Sequence, residues 1–284
     1  MHRFTSLISV PDLVARQSDE NLVTLDASWY LPSDGRNPGA EYLTRHIPCA
    51  HFFDIDTVSD QTNPCPHMLP AGSMFAEQMR TLGIGADTDV VIYDAKGLFS
   101  APRAWWMFRV FGHRSVKVLN GGLPAWLAAG RSTTAAKSPV AVPANPFSAQ
   151  YCPEWVADKN DVAMHLAQDS ARVVDARSAS RFAGAEAEPR PGVRPGHMPG
   201  ARNLHYAKMT TGEPAVLAPE GDLRALFDAV GIDHSTPVVT TCGSGISACL
   251  LALALTEVHP RPVAVYDGSW AEWGADPNCR VERA

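Results

Sequence analysis

Short β-branched runs alternate along the chain with stretches of helical periodicity. Leu22-Val23-Thr24-Leu25, Val90-Val91-Ile92-Tyr93, Arg172-Val173-Val174 and Val238-Val239-Thr240-Thr241 each have the length and composition of a buried strand. Each run ends on a polar or reactive residue: Asp26, Asp94, Asp175 and Cys242 respectively. Ser9-Val10-Pro11-Asp12 is a capping-box-like helix start leading into Leu13-Val14-Ala15-Arg16. Ala248 to Leu255 is apolar throughout and rich in Ala and Leu, which predicts a helix that begins as the loop after Cys242 ends. Strands alternating with helices imply an α/β fold built on mostly parallel sheets flanked by helices.

The pattern is written twice. Leu22–Ala27 is answered by Ala171–Ala176, Arg45-His46-Ile47-Pro48-Cys49-Ala50 by Gly196-His197-Met198-Pro199-Gly200-Ala201, and Gly83-Ile84-Gly85 with Val90–Asp94 by Gly231-Ile232-Asp233 with Val238–Cys242. Asn120-Gly121-Gly122 with Trp126 is answered by Asp267-Gly268-Ser269 with Trp273. The offset stays between 147 and 151 residues over all four blocks, which is the mark of a duplication. Residues 1–136 and 151–284 are therefore expected to be two tandem domains, joined by the Pro-rich stretch 137–150 as an extended linker. The position answering Cys242 is Asp94, so the first domain is expected to be silent at its own loop and to complete the second domain's site. His46 and His197 recur in both halves and are read as scaffolding, while Trp105, Trp106, Trp270 and Trp273 are read as core or interface aromatics.

Composition narrows the function. A net charge of −6 without a basic run offers no footprint for nucleic acid and no polybasic membrane segment. The longest apolar run falls far short of the roughly 20 residues a membrane helix needs. Met1 to Val10 makes a poor secretory signal. Six cysteines, at 49, 65, 152, 242, 249 and 279, show neither a Cys-x-x-Cys pair nor a disulfide framework, so a reducing cytoplasm fits best.

The loop Cys242-Gly243-Ser244-Gly245-Ile246-Ser247-Ala248 carries the chemistry. Its glycines permit tight curvature that turns consecutive backbone N–H groups inward, and the following helix adds its positive end to the same space. Such a pocket favours an anion, and a thiol within it is expected to ionise more readily than a free one. The loop lacks the Gly-Lys-Ser/Thr of a Walker phosphate loop. A cysteine phosphatase would want arginine where Ala248 stands and histidine where Thr241 stands. What survives is a small uncharged cradle for a cysteine and something bound to it.

Cys242-Gly243-Ser244-Gly245-Ile246-Ser247-Ala248 resembles the active loop of the 3-mercaptopyruvate sulfurtransferases of the rhodanese superfamily, with Ile246 and Ser247 as conservative departures. The resemblance covers nearly the whole chain and implies two tandem rhodanese-like domains. It implies that Cys242 is the nucleophile, with Gly243, Gly245, Ile246 and Ser247 lining the substrate loop. Arg181 and Arg190 would grip the carboxylate of the donor, a task suited to arginine's planar fork. Asp56 and His67 would form a proton relay with Ser244 joining by its hydroxyl, a base held by an acid. Arg177 and Arg202 have no such support and are read as structural, and Cys49, Cys249 and Cys279 as inert.

The implied reaction moves sulfur from 3-mercaptopyruvate through a Cys242 persulfide to a thiol such as thioredoxin, or to cyanide, releasing pyruvate. It needs no cofactor and no metal, and Cys65-Pro66-His67 supplies only two ligands, too few for a metal site. A pseudo-dimer of two domains is expected to work as a monomer. Two rival readings remain: a thiosulfate:cyanide sulfurtransferase, and a persulfide-carrying or redox-sensing module without turnover. Thiosulfate users typically carry basic residues after the cysteine, where this chain has Gly243 and Ser244.

Overall fold

The computed structural model describes residues 5–259 and 261–284. Residues 1–4, part of the stretch read as a poor secretory signal, lie outside them. The chain divides into two compact units, and the cut does not fall at one point in sequence. The first unit runs to Gln61, resumes over Leu69–Cys152 and takes in Thr211–Leu217; the second comprises Thr62–Met68, Pro153–Thr210 and everything from Ala218. Each unit thus owns a short segment from the other half of the sequence.

In the first unit, β1 (Leu7–Ile8), β2 (Leu22–Asp26), β3 (Ala50–Phe52), β4 (Asp89–Tyr93) and β5 (Val116–Leu119) form one sheet in the order β1-β5-β4-β2-β3. Every pairing is parallel. The second half runs β6 (Val156–Ala157), β7 (Arg172–Asp175), β8 (Arg202–Asn203), the two-residue strands β9 (Thr210–Thr211) and β10 (Val216–Leu217), then β11 (Val238–Thr241) and β12 (Ala264–Tyr266). Its sheet has the order β6-β12-β11-β7-β8, again parallel throughout, so the duplication in sequence is a duplication of topology.

The register repeats as well. Asp26 stands opposite Tyr93, and Asp175 opposite Thr241. In both units the central strand therefore delivers the residue that follows it, Asp94 or Cys242, to the carboxyl edge of the sheet, where open α/β sheets place their ligands.

Burial explains why the patterns fold this way. The helix Ala248–Val258 is buried on all sides except at Thr256, as an apolar helix without a polar face must be. Val239, Tyr266, Trp270 and Trp273 share one cluster with Met198 and Ala201, while Val91, Tyr93, Leu123 and Trp126 share the corresponding cluster of the first unit. Trp105 and Trp106 are fully buried. Ser9 caps the first helix, Val10–Arg16, by accepting the Asp12 N–H. The twin histidines also do the same job twice. His46 binds the Tyr42 carbonyl and stacks on Tyr42, and His197 binds the Phe182 carbonyl and stacks on Phe182.

The Pro-rich stretch 137–150 is free of helix and strand, yet it is no loose tether. Ser138 donates to the Ala50 carbonyl, Ala86 donates to the Asn145 carbonyl, and Phe147 packs edge-on against Phe75 within the first unit.

Candidate functional site

The loop behind Cys242 is best understood from its silent twin. In the first unit the Asp94 carboxylate accepts four backbone N–H groups, from Lys96, Phe99, Ser100 and Ala101, at 2.8–2.9 Å. This strand-to-helix loop is therefore an amide cradle, and in the first copy an internal carboxylate fills it. Gly97, at φ 111°, provides the left-handed turn that aims those amides inward.

The second unit keeps the turn and puts a cysteine where the carboxylate stood. Gly245, at φ 79°, occupies the position of Gly97, and Cys242 occupies that of Asp94, 2 % exposed. At the same offset, the Lys96 and Phe99 amides correspond to those of Ser244 and Ser247. Among the described residues, these two amides donate to no protein acceptor. A carboxylate reaches one bond farther than a thiol, so the cysteine copy leaves room in the cradle for an atom carried on sulfur. Cys249, read as inert, spends its S–H on the Gly245 carbonyl at 3.1 Å and so braces the loop from the helix side.

The peptide of Cys242 is fixed from the other side. The Cys242 N–H donates to Ser269 Oγ at 3.3 Å, while Trp270 and Ala271 donate their N–H groups to the carbonyls of Cys242 and Gly243 at 3.0 and 2.9 Å.

Arg181, in the last turn of the helix Ala179–Ala183, lies directly over Gly243: a Cβ on that glycine would stand 3.0 Å from one guanidinium nitrogen. A Cβ at position 243 would press on that guanidinium, which gives this glycine a reason beyond loop curvature. Glu188 holds Arg181 through a 2.5 Å pair and is itself held by Arg177 at 2.8 Å. Arg177 also forks onto Asp175, at 2.6 Å, and lies over the Trp270 ring. Burial opposes its charge, but Asp175 and Glu188 more than offset this and raise its pKa above the ordinary arginine value. The arginine read as structural is thus the anchor of a chain, Asp175 to Arg177 to Glu188 to Arg181, that ends beside the cysteine loop. Arg181 keeps 21 % of its side chain exposed, enough to meet a ligand.

Arg190 is half-buried in the second unit, near enough to the Cys65 thiol to act on its charge. Burial first, then Glu272 and Asp267, push the Cys65 pKa up against Lys159 and Arg190. Burial and Asp276 raise Cys279 likewise. Ile246 and Gly245 are buried and Ser247 is half-buried.

His67 belongs to the short segment Thr62–Met68 of the second unit, buried and in left-handed backbone at φ 63°. Its Nδ1 lies 3.2 Å from the Ser244 carbonyl. A carbonyl only accepts, so Nδ1 is the donor of this contact. This contact joins His67 to the backbone of the cysteine loop. Asp56 lies in the first unit, where both carboxylate oxygens face Trp29 Nε1 at 3.1 and 3.2 Å. Two residues invisible as functional in the sequence, Glu188 and Ser269, stand in the immediate support of this site. Among the described residues, no group of three or more His, Cys, Asp or Glu could hold a metal ion.

Two parallel-sheet units of one strand order, with a cysteine cradled at the carboxyl edge of the second, define a class. A family model for the rhodanese-like domain matches residues 9–129 and again 158–276, and the chain belongs to that family. Human 3-mercaptopyruvate sulfurtransferase is 47 % identical over 263 residues, spanning 92 % of this chain and 88 % of its own. The crystal structure of Tum1 from Saccharomyces cerevisiae superposes with a TM-score of 0.88 at 30 % identity, covering 98 % of both chains. That of SseA from Escherichia coli, a 3-mercaptopyruvate sulfotransferase of rhodanese fold, gives 0.83 at 37 % identity, covering 94 % of this chain and 99 % of its own.

Proposed function

We propose that this chain is an enzyme, a 3-mercaptopyruvate sulfurtransferase, working through a persulfide on Cys242. The observation that carries the reading is the paired loop: the cradle that binds the Asp94 carboxylate in one copy presents its amides behind a cysteine in the other.

The Cys242 thiolate attacks the donor's sulfur, forming an S–S bond as the C–S bond breaks. The electron pair of that bond passes to carbon as the enolate of pyruvate, which takes up the proton the donor thiol brought. The products are pyruvate and a persulfide anion, whose outer sulfur the loop amides stabilise. A thiolate acceptor then attacks the outer sulfur, leaving as its own persulfide and restoring Cys242; cyanide leaves as thiocyanate. This is ping-pong covalent catalysis and needs neither metal nor organic cofactor. His67, protonated at Nδ1, would move the proton with Nε2. Arg181 would take the donor's carboxylate, Arg190 assisting. The natural acceptor is proposed to be a small or protein thiol in a reducing compartment such as the cytoplasm. None of the six cysteines forms a disulfide, and no helix among the described residues is long and apolar enough to cross a membrane. The enzyme is proposed to work as a monomer.

The test compares donors on the parent and on Arg181→Ala. The parent is expected to turn over 3-mercaptopyruvate faster than thiosulfate. The variant should raise KM for 3-mercaptopyruvate by about tenfold or more, the effect of losing a charge-assisted carboxylate contact. Arg181→Lys should recover little of it, because an ammonium cannot reproduce the fork. Equal or better use of thiosulfate by the parent would overturn the choice of donor.

A further inference from the structure

The two copies share one left-handed backbone position that the reaction scheme does not use, and fill it with different residues. Gly122 and Ser269 answer each other at the start of equivalent helices, Gly122–Ala128 and Ser269–Trp273, and both sit in left-handed backbone, at φ 54° and 51°. Glycine adopts that conformation freely and a serine does so under strain. In the silent copy a Cβ at Gly122 would collide with the Asp94 carbonyl, so glycine suits that site on both counts. Only the copy that carries the cysteine keeps a side chain there.

That side chain is fully buried and fully committed. Ser269 Oγ donates its proton to the Tyr266 carbonyl at 2.8 Å, which leaves only lone pairs to face the Cys242 N–H. The N–H that Cys242 would otherwise present to the loop is thereby taken out of use and its direction fixed. Trp270 N–H, one residue on, holds the Cys242 carbonyl. The silent copy retains this second contact, Leu123 N–H to the Asp94 carbonyl at 3.0 Å, and lacks the first, since glycine has no hydroxyl.

We propose that Ser269 is a positioning residue for sulfur transfer: its hydroxyl locks the Cys242 peptide so that the thiolate and then the persulfide stay centred on the loop amides. The inference rests on the sulfurtransferase reading given above. A serine strained beside the nucleophile, where the copy without one has glycine, is its physical signature.

Ser269→Gly and Ser269→Ala test it together, the first removing hydroxyl and strain, the second removing the hydroxyl alone. Both are expected to lower kcat about tenfold with KM for 3-mercaptopyruvate within twofold, because Arg181 is untouched. Alkylation of Cys242 by iodoacetamide, followed on the Cys242 peptide by mass spectrometry, should slow at least threefold. Ser269→Gly should keep or raise the thermal midpoint of the parent. A Ser269→Gly enzyme with kcat within twofold of the parent, or with an unchanged alkylation rate, would overturn the proposal. So would a fall in its thermal midpoint matching the loss of activity, which would make the hydroxyl a folding contact only. Alkylation and melting read Ser269 even if the parent proves to use a different donor, so the two readings fail separately.

Discussion

Cys242→Ser protein is expected to fold as the parent does and to release pyruvate from 3-mercaptopyruvate at least about 10⁴-fold more slowly, the scale of loss when a covalent nucleophile is removed. Serine is close to cysteine in size, and position 242 lies in a cradle lined by backbone, so packing hardly changes. What changes is the atom. Sulfur transfer requires a nucleophile that forms an S–S bond, and a hydroxyl forms none under these conditions. The first copy cannot substitute, because the equivalent loop is closed on the Asp94 carboxylate by four amide contacts. Pyruvate release within tenfold of the parent would contradict the assignment of the nucleophile.

Arg177→Ala is expected to destabilise the second unit by about 3–5 kcal/mol, since removing one partner of a buried ion pair leaves its charges without compensation. Here two carboxylates are left, Asp175 and Glu188, whose side chains are 1 % and 3 % exposed. The same substitution removes the donor to the Gly196 carbonyl and uncovers the Trp270 ring. The thermal midpoint should fall on the order of 10 °C for that unit. A thermal melt or denaturant titration checks this, and a fall of less than about 2 °C would show that Asp175 and Glu188 do not depend on Arg177. Because Glu188 also holds Arg181, whatever folded protein remains should bind the donor more weakly.

Both expectations depend on features the sequence exposed unequally. The duplication was legible because periodicity and burial are written in side-chain type: Val91 and Val239, Trp126 and Trp273, His46 and His197 keep their chemistry at a near-constant offset, and each pair has equivalent surroundings. Even Cys49 and Gly200, unlike as residues, share left-handed backbone at φ 66° and 84°. Cys242 was legible because a thiol followed by Gly-Ser-Gly has few other uses.

Contacts made by backbone atoms were not legible, since a carbonyl has no letter of its own. His67 meets Ser244 through such a carbonyl. Glu188 was hidden for another reason. It lies on an irregular stretch, and only the path of that loop brings its carboxylate between Arg177 and Arg181. Ser269 stood in plain sight opposite Gly122 in the repeat, but its meaning came from a φ angle and a hydrogen bond. The stretch 137–150 has the composition of a tether, and a single phenylalanine, Phe147, among its prolines ties it to the first unit's aromatic core.

Support of charged sulfur on Cys242 by the amides after β11 is tested most directly by mass spectrometry of the reduced protein after one equivalent of 3-mercaptopyruvate. A gain of one sulfur atom is expected, located by peptide mapping to Cys242, with pyruvate released in equal amount and the gain reversed by a thiol or cyanide. Pyruvate formed with no sulfur on Cys242, or sulfur found on another cysteine instead, would contradict it.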